Sequence, residues 1–178
     1  CKMAMSLDGR TAMASGESRW ITSKEARRDV QGLRARSSAI MTGAGTVLAD
    51  DPQLTVREEE MPSYLPKPTV LTQPLRVVVD AHLSMPTEAR LLRQPGQTVI
   101  FTASHSHSLT EMLTKAGATV IYMPSRDKQI DLQAMCHKLA SDYEVNELHI
   151  ETGATLAGAM LRAGLIDELV IYLAPLLL

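Results

Sequence analysis

Hydrophobic and polar positions along this chain form short apolar runs that alternate with stretches of helical spacing. Residues 1–5 form a first apolar strand, then the polar turn Ser6-Leu7-Asp8-Gly9-Arg10 and a loop of small residues up to Trp20. Thr22-Ser23-Lys24-Glu25 reads as a capping box, in which the Thr22 oxygen accepts from the Glu25 N–H and Glu25 reaches back. The helix it opens carries Ala26, Val30 and Leu33 on its buried stripe. Arg27, Gln31 and Arg34 lie along one flank of that stripe, while Arg28 and Arg36 project elsewhere, into solvent. Residues 38–42 form a second strand, and Gly43-Ala44-Gly45-Thr46 turns into a short helix, Val47 to Asp50, stopped by Pro52. From Asp51 to Pro74 no periodicity survives. Glu58 to Glu60 with Pro62, Pro66, Pro68 and Pro74 mark a loop long enough to serve a site.

Residues 75–80 read as a central strand, followed by a connection through Pro86 and Pro95. Strand 97–102 leads to a helix near 108–115 that Gly117 ends; strand 118–122 leads to a helix near 131–142 with Asp131 as its N-cap. Strand 146–151 and its helix come next, then Leu169 to Ala174 as a final strand. Strands alternating with helices predict an α/β fold, with a mostly parallel central sheet and helices on both faces. No internal repeat and no dividing linker appears, so residues 1–178 read as one domain.

Residues 147–164 organise the rest. Leu148 and Ile150 point one way, as in a buried strand, and Gly153 permits a conformation or a close approach that a side chain would block. From Thr155 the spacing turns helical, and Gly164 is placed to end the helix. Backbone N–H groups at such a helix start suit phosphate, and Glu151 looks into the same crevice. Gly43 to Thr46 makes a second unit of this kind, and a dinucleotide needs two places to rest. Neither turn is a Walker loop or a GxGxxG fingerprint, so an ordinary strand–helix connection stays open as a reading.

Composition changes this picture little. Hydrophobic residues make up 45% and charged residues 21%, and the net charge of −2 argues against a nucleic-acid or anionic-membrane partner. No apolar run is long enough to span a bilayer. Cys1 and Cys136 fit neither a disulfide framework nor a zinc site, which makes a cytoplasmic location the expectation. Both ends read as cut from a longer polypeptide.

Candidate chemistry is sparse. His82, His105, His107, His137 and His149 have no partners at zinc-ligand spacing and are expected to be structural or exposed, so no metal is expected. No serine-nucleophile elbow appears. Trp20, the sole tryptophan, reads equally as a core plug or a ring packed on a ligand. Arg34 and Arg57 are candidates for phosphate, because a guanidinium grips two oxygens, although a surface role is open for each. Asp50-Asp51-Pro52 reads as a turn rather than a metal site.

Four segments carry a resemblance: Lys2-Met-Ala-Met-Ser-Leu-Asp-Gly-Arg-Thr, Gly16-Glu-Ser-Arg-Trp-Ile-Thr, Gly45-Thr-Val-Leu-Ala-Asp-Asp-Pro-Gln-Leu-Thr-Val-Arg and Glu151-Thr-Gly-Ala-Thr-Leu-Ala-Gly-Ala. In this order and spacing the chain closely resembles, over nearly its whole length, the reductase half of the bacterial bifunctional riboflavin-biosynthesis proteins of the RibD family. The resemblance implies a dihydrofolate-reductase-like fold and NADPH-dependent reduction of 5-amino-6-(5-phosphoribosylamino)uracil to its ribitylamino product. Carried over by position, it implies Ala4, Trp20, Thr46, Asp50 and the turn Gly153, Ala154, Thr155, Leu156, Ala157, Gly158 and Ala159 at the cofactor. It implies Ser18, Arg34, Leu54, Arg57 and Glu151 at the substrate, with Lys2 and Glu151 the catalytic candidates around the opened ribose. Ala81 stands where the family often has a serine touching NADPH, and Thr152 where it has glycine or alanine. A homodimer is implied, with a deaminase domain fused upstream and C-terminal strands that this chain lacks. Two readings stay beside it: a reductase acting on the 2,5-diamino pyrimidinone before deamination, and a nucleotide-binding module without turnover.

Overall fold

The computed structural model describes residues 1–15, 21–65, 70–124, 127 and 129–178. Seven strands and five helices alternate along them: β1 (Lys2–Ser6), α1 (Lys24–Arg36), β2 (Ala39–Gly43), α2 (Ala44–Asp50), β3 (Leu75–Val79), β4 (Thr98–Thr102), α3 (His107–Lys115), β5 (Ala118–Tyr122), α4 (Leu132–Tyr143), β6 (Leu148–Ile150), α5 (Ala154–Arg162) and β7 (Val170–Ala174). Five strands form a sheet in the order β5-β4-β3-β2-β6, and every pairing in it is parallel. β1 pairs with β7, also in parallel, and a single parallel bridge between Lys2 and Glu151 joins that ribbon to the end of β6. The parallel sheet expected from the alternation is therefore present.

Strand alternation sorts the core onto two faces. Ala39, Met41, Val77, Val99, Phe101 and Ile150 point to the side covered by Met135 and Leu139 of α4 and Met160 of α5. Ile40, Val78 and Ile100 point the other way, against Val47 of α2 and Leu113 of α3. Helices thus cover both faces, and runs such as Ala39-Ile40-Met41 are apolar throughout because both sides are buried.

Local boundaries differ from the sequence reading in two informative places. The N-cap of α1 is Ser23, not Thr22: its hydroxyl accepts from the Ala26 N–H at 3.2 Å, and the Thr22 carbonyl instead accepts from Arg27 at 2.7 Å. α2 begins at Ala44, directly after the strand, so most of the expected glycine turn is already helical. Asp131 does cap α4, accepting from the Ala134 N–H at 2.9 Å.

One buried cation fixes the connection from β3 to β4. Arg76 on β3 is 1% exposed. Its guanidinium donates to the carbonyls of Gln94, Pro95 and Gly96 and to the Thr98 hydroxyl, at 2.7–3.0 Å. No carboxylate is among these partners, and burial pushes its pKa down. Gly96 sits at φ +94°, a left-handed conformation that glycine adopts without strain and that turns its carbonyl to this cage.

Candidate active site

A cleft of about 1250 Å³ crosses the C-terminal ends of β2, β3 and β6 and the first residues of β1. Two helix N-termini open into it. Gly43 is the N-cap of α2 and Gly153 the N-cap of α5, and neither start has a side chain accepting from its N–H groups. The two turns touch: a Cβ placed on Gly43 would lie 3.3 Å from Thr152 Oγ1 and 3.4 Å from Leu156 Cδ2. Glycine at 43 is what allows the two helix starts to approach. At Gly45 and Gly153 the same construction meets nothing within 4 Å, so open cleft lies above both. Gly153 has φ −71°, which any residue adopts; its significance is the space above it rather than its conformation.

Beside these turns lies an ion-pair floor. Glu151 follows β6, and its backbone N–H donates to the Met41 carbonyl at 2.9 Å. Arg34 of α1 meets its carboxylate through two bonds, Nε to Oε1 at 2.6 Å and Nη2 to Oε2 at 2.9 Å. Arg34 also donates to the Thr55 carbonyl at 2.8 Å. His149 lies two residues earlier on the same strand face, with Nε2 3.1 Å from Glu151 Oε1. Burial alone would raise the Glu151 carboxyl, but Arg34 and then His149 outweigh it and hold the group well below the usual carboxylate range. Glu151 is therefore an ionised acceptor at neutral pH, with no proton to give.

Lys2, bridged to Glu151 through the backbone, lines the same cleft. Burial pushes its ammonium pKa down, with the Glu151 carboxylate opposing and Arg34 reinforcing. Lys2 Nζ stands 5.8 Å from the centre of the Tyr172 ring. Tyr172 in turn donates to Asp29 of α1 at 2.5 Å, and Tyr64 donates to the other Asp29 oxygen. This chain of contacts ties α1, β1 and β7 together beneath the cleft.

The aperiodic stretch after α2 forms a fixed wall. Asp51 and Leu54 adopt left-handed backbone at φ 43° and 51°, a conformation costly for side chains larger than glycine. Gln73 grips Val56 by both backbone groups, at 2.9 and 3.0 Å, and buried Gln31 accepts from the Arg57 N–H at 3.0 Å. Arg57 Nη2 pairs with Glu60 at 2.8 Å, while its buried Nε–H has no partner among the described residues.

The sequence candidates separate cleanly. Lys2, Ala4, Arg34, Thr46, Asp50, Leu54, Arg57, Glu151, Gly153, Ala154, Thr155, Leu156 and Ala159 line the one cleft. Ala157 is buried on the core side of α5, and Gly158 underlies the Arg162 side chain. Ser18 and Trp20 lie outside the described residues. His149, expected to be structural or exposed, holds Glu151; the i, i+2 spacing of a histidine and a glutamate on one strand is the signal that points to it. Arg90 and Arg162, also on the cleft wall, carry no signal in the sequence. Among the described residues no group of three or more His, Cys, Asp or Glu could hold a metal ion.

The family model described as the RibD C-terminal domain matches residues 1–178. Riboflavin biosynthesis protein RibD of Escherichia coli is 45% identical over 182 residues, spanning 99% of this chain and 48% of that protein. The 5-amino-6-(5-phosphoribosylamino)uracil reductase of Buchnera aphidicola is 34% identical, over 93% of this chain and 79% of that protein. The structure of Acinetobacter baumannii RibD superposes with a TM-score of 0.81 at 39% identity, covering 99% of this chain and 46% of that one. The chain spans about half the length of the RibD relatives it matches. The fold is of the dihydrofolate-reductase-like α/β class that these reductases share.

Proposed function

The chain belongs to the RibD C-terminal domain family, and from that membership and the cleft we propose an NADPH-dependent pyrimidine reductase of riboflavin biosynthesis. It converts the ribosyl group of 5-amino-6-(5-phosphoribosylamino)uracil to the ribityl group. The supporting observation is the contact of two uncapped helix starts, through Gly43 and Thr152, beside a floor of Lys2 and ionised Glu151.

A nicotinamide dinucleotide suits that arrangement. The diphosphate needs N–H donors, which the two helix starts without side-chain caps offer, and close backbone approach, which the open space above Gly45 and Gly153 allows. Thr46, Asp50 and the start of α5 would hold the cofactor's middle, with Ala4 at its reactive end. When bound, the reduced nicotinamide supplies hydride to C1′ of the opened sugar. The protein's own groups orient that sugar and complete the reaction. Glu151 accepts hydrogen bonds from ribose hydroxyls. Lys2, a cation whose pKa is lowered, gives a proton to the anionic centre that results.

Arg57 takes the substrate's 5′-phosphate through the exposed end of its guanidinium, and Arg34 contributes from the adjoining wall. The other half of a longer polypeptide would carry the deaminase. The structural neighbour from Thermotoga maritima is such a deaminase/reductase, with both activities in one protein. Exposed Ile171 and Leu173 of β7 are read as part of a homodimer surface. A cytoplasmic location accompanies this reading. Loss of NADPH absorbance on addition of the uracil substrate tests the proposal, and competition with the 2,5-diamino pyrimidinone identifies the preferred ring. No substrate-dependent loss would overturn it.

A further inference from the structure

Several cations of the cleft are already engaged. Arg34 is bound to Glu151 and Thr55, Arg57 to Glu60, and Arg27 donates to the Thr22 carbonyl. Arg90 and Arg162 differ. Both are exposed on the cleft wall, and neither guanidinium makes a hydrogen bond or ion pair with a described residue.

Topology places Arg90 away from the reacting end. Across the sheet the order runs β3, β2, β6 and then, through the Lys2–Glu151 bridge, β1. The uncapped helix starts follow β2 and β6, and Lys2 and Glu151 sit at the β6–β1 side. The loop after β3 lies on the opposite side, about two strand spacings or ~10 Å from β6. A dinucleotide with its nicotinamide at Lys2 and Glu151, and its diphosphate at the helix starts, sets its adenosine against that loop. There the wall carries exposed His82, Ser84 and Arg90.

Two nearby carboxylates, Asp80 and Asp51, accept from neutral donors. Asp80 accepts from the His82 N–H, the Ser84 hydroxyl and the Met85 N–H, at 2.8–3.3 Å. Asp51 Oδ1 accepts the backbone N–H of Arg90 at 2.8 Å, which fixes where that residue leaves the wall. Asp50 lines the cleft as well. Arg162 approaches from α5. A Cβ on Gly158 would lie 3.3 Å from its Nη1, so the side chain folds back along the helix towards the cleft. The missing Cβ leaves that path open.

We propose that Arg90, with Arg162, reads the 2′-phosphate of the cofactor's adenosine and so sets the preference for NADPH over NADH. This rests on the cleft being a dinucleotide site. Two guanidiniums without carboxylate partners fit a dianionic phosphate, and the unphosphorylated ribose offers them nothing comparable.

Calorimetric titration with NADPH, NADH, 2′,5′-ADP and 5′-AMP tests it without turnover. The unaltered protein is expected to bind each 2′-phosphorylated ligand roughly 10- to 100-fold more tightly than its counterpart. In Arg90→Ala/Arg162→Ala that preference should fall to near parity, with NADH affinity unchanged. Both side chains are exposed, and an unshifted thermal melt confirms an intact fold. Arg90→Lys in the Arg162 background should keep part of the preference. An unchanged preference in the double variant overturns the inference. So does an equal loss of NADPH and NADH, which would put the arginines on the diphosphate. Equal binding of NADPH and NADH by the unaltered protein also overturns it and leaves the dinucleotide reading standing. Failure of all four ligands to bind overturns both.

Discussion

Arg34 and Glu151, separated by 117 residues in sequence, meet through two parallel hydrogen bonds at 2.6 and 2.9 Å. Their side chains are 13% and 15% exposed, so water screens the pair little. Removing Arg34 leaves the carboxylate with His149 alone. Arg34→Ala should cost about 3 kcal/mol in urea unfolding, the lower end for a broken buried pair. An unchanged midpoint would show that Arg34 is held for the substrate and not for the fold.

The same pair sets an acid limit. The folded-state pKa of Glu151 lies below its ordinary value of 4.5. The pair's contribution is therefore complete above about pH 4.5 and is lost as pH falls towards the folded-state pKa. Glu151→Gln should flatten stability against pH in that acid window while lowering stability at neutral pH. A mutant profile parallel to the unaltered protein's would contradict the assignment.

Lys2 predicts a limit on the alkaline side. Burial holds its ammonium below the ordinary 10.5. If Lys2 gives the proton, kcat/KM should decline with rising pH before that value is reached. Lys2→Met should lose most activity and that limb together, while NADPH affinity holds. A limb that survives in Lys2→Met assigns the proton to another donor.

Arg57 separates substrate from cofactor. Its guanidinium on the cleft wall predicts that Arg57→Ala weakens the phosphorylated substrate by roughly 10- to 150-fold, seen as a raised KM. NADPH affinity should barely change. A substrate lacking the 5′-phosphate should bind both proteins alike; a mutant that still discriminates for the phosphate would place that group elsewhere.

What is legible in the sequence follows from the range of each interaction. Apolar runs and helix spacing are local, and they reveal the parallel α/β alternation and the two strand-to-helix junctions, although α2 starts at Ala44, inside the expected Gly43–Thr46 turn. The cap of α1 moves by one residue because Thr22 and Ser23 offer nearly the same hydroxyl, and the chain's path at Arg27 decides between them. Arg34 reads from sequence as a free phosphate ligand because its partner lies across the fold. His149 lacks metal-like spacing and so carries no weight by that criterion, although strand alternation already puts it on the face of Glu151. The Asp29–Tyr172 contact and the cage around Arg76 depend on which elements become neighbours, which periodicity does not record.

The central claim is that a reduced dinucleotide rests on the paired helix starts with its reactive end at Lys2 and Glu151. Gly153→Val tests it most directly, since the added Cβ points into open cleft and meets no protein atom within 4 Å. Its stability should stay within about 1 kcal/mol of the unaltered protein, because the backbone there suits any residue. Calorimetric titration with NADPH is expected to show affinity reduced at least roughly tenfold, a loss of about 1.4 kcal/mol. NADPH affinity unchanged in a normally folded Gly153→Val would contradict the account.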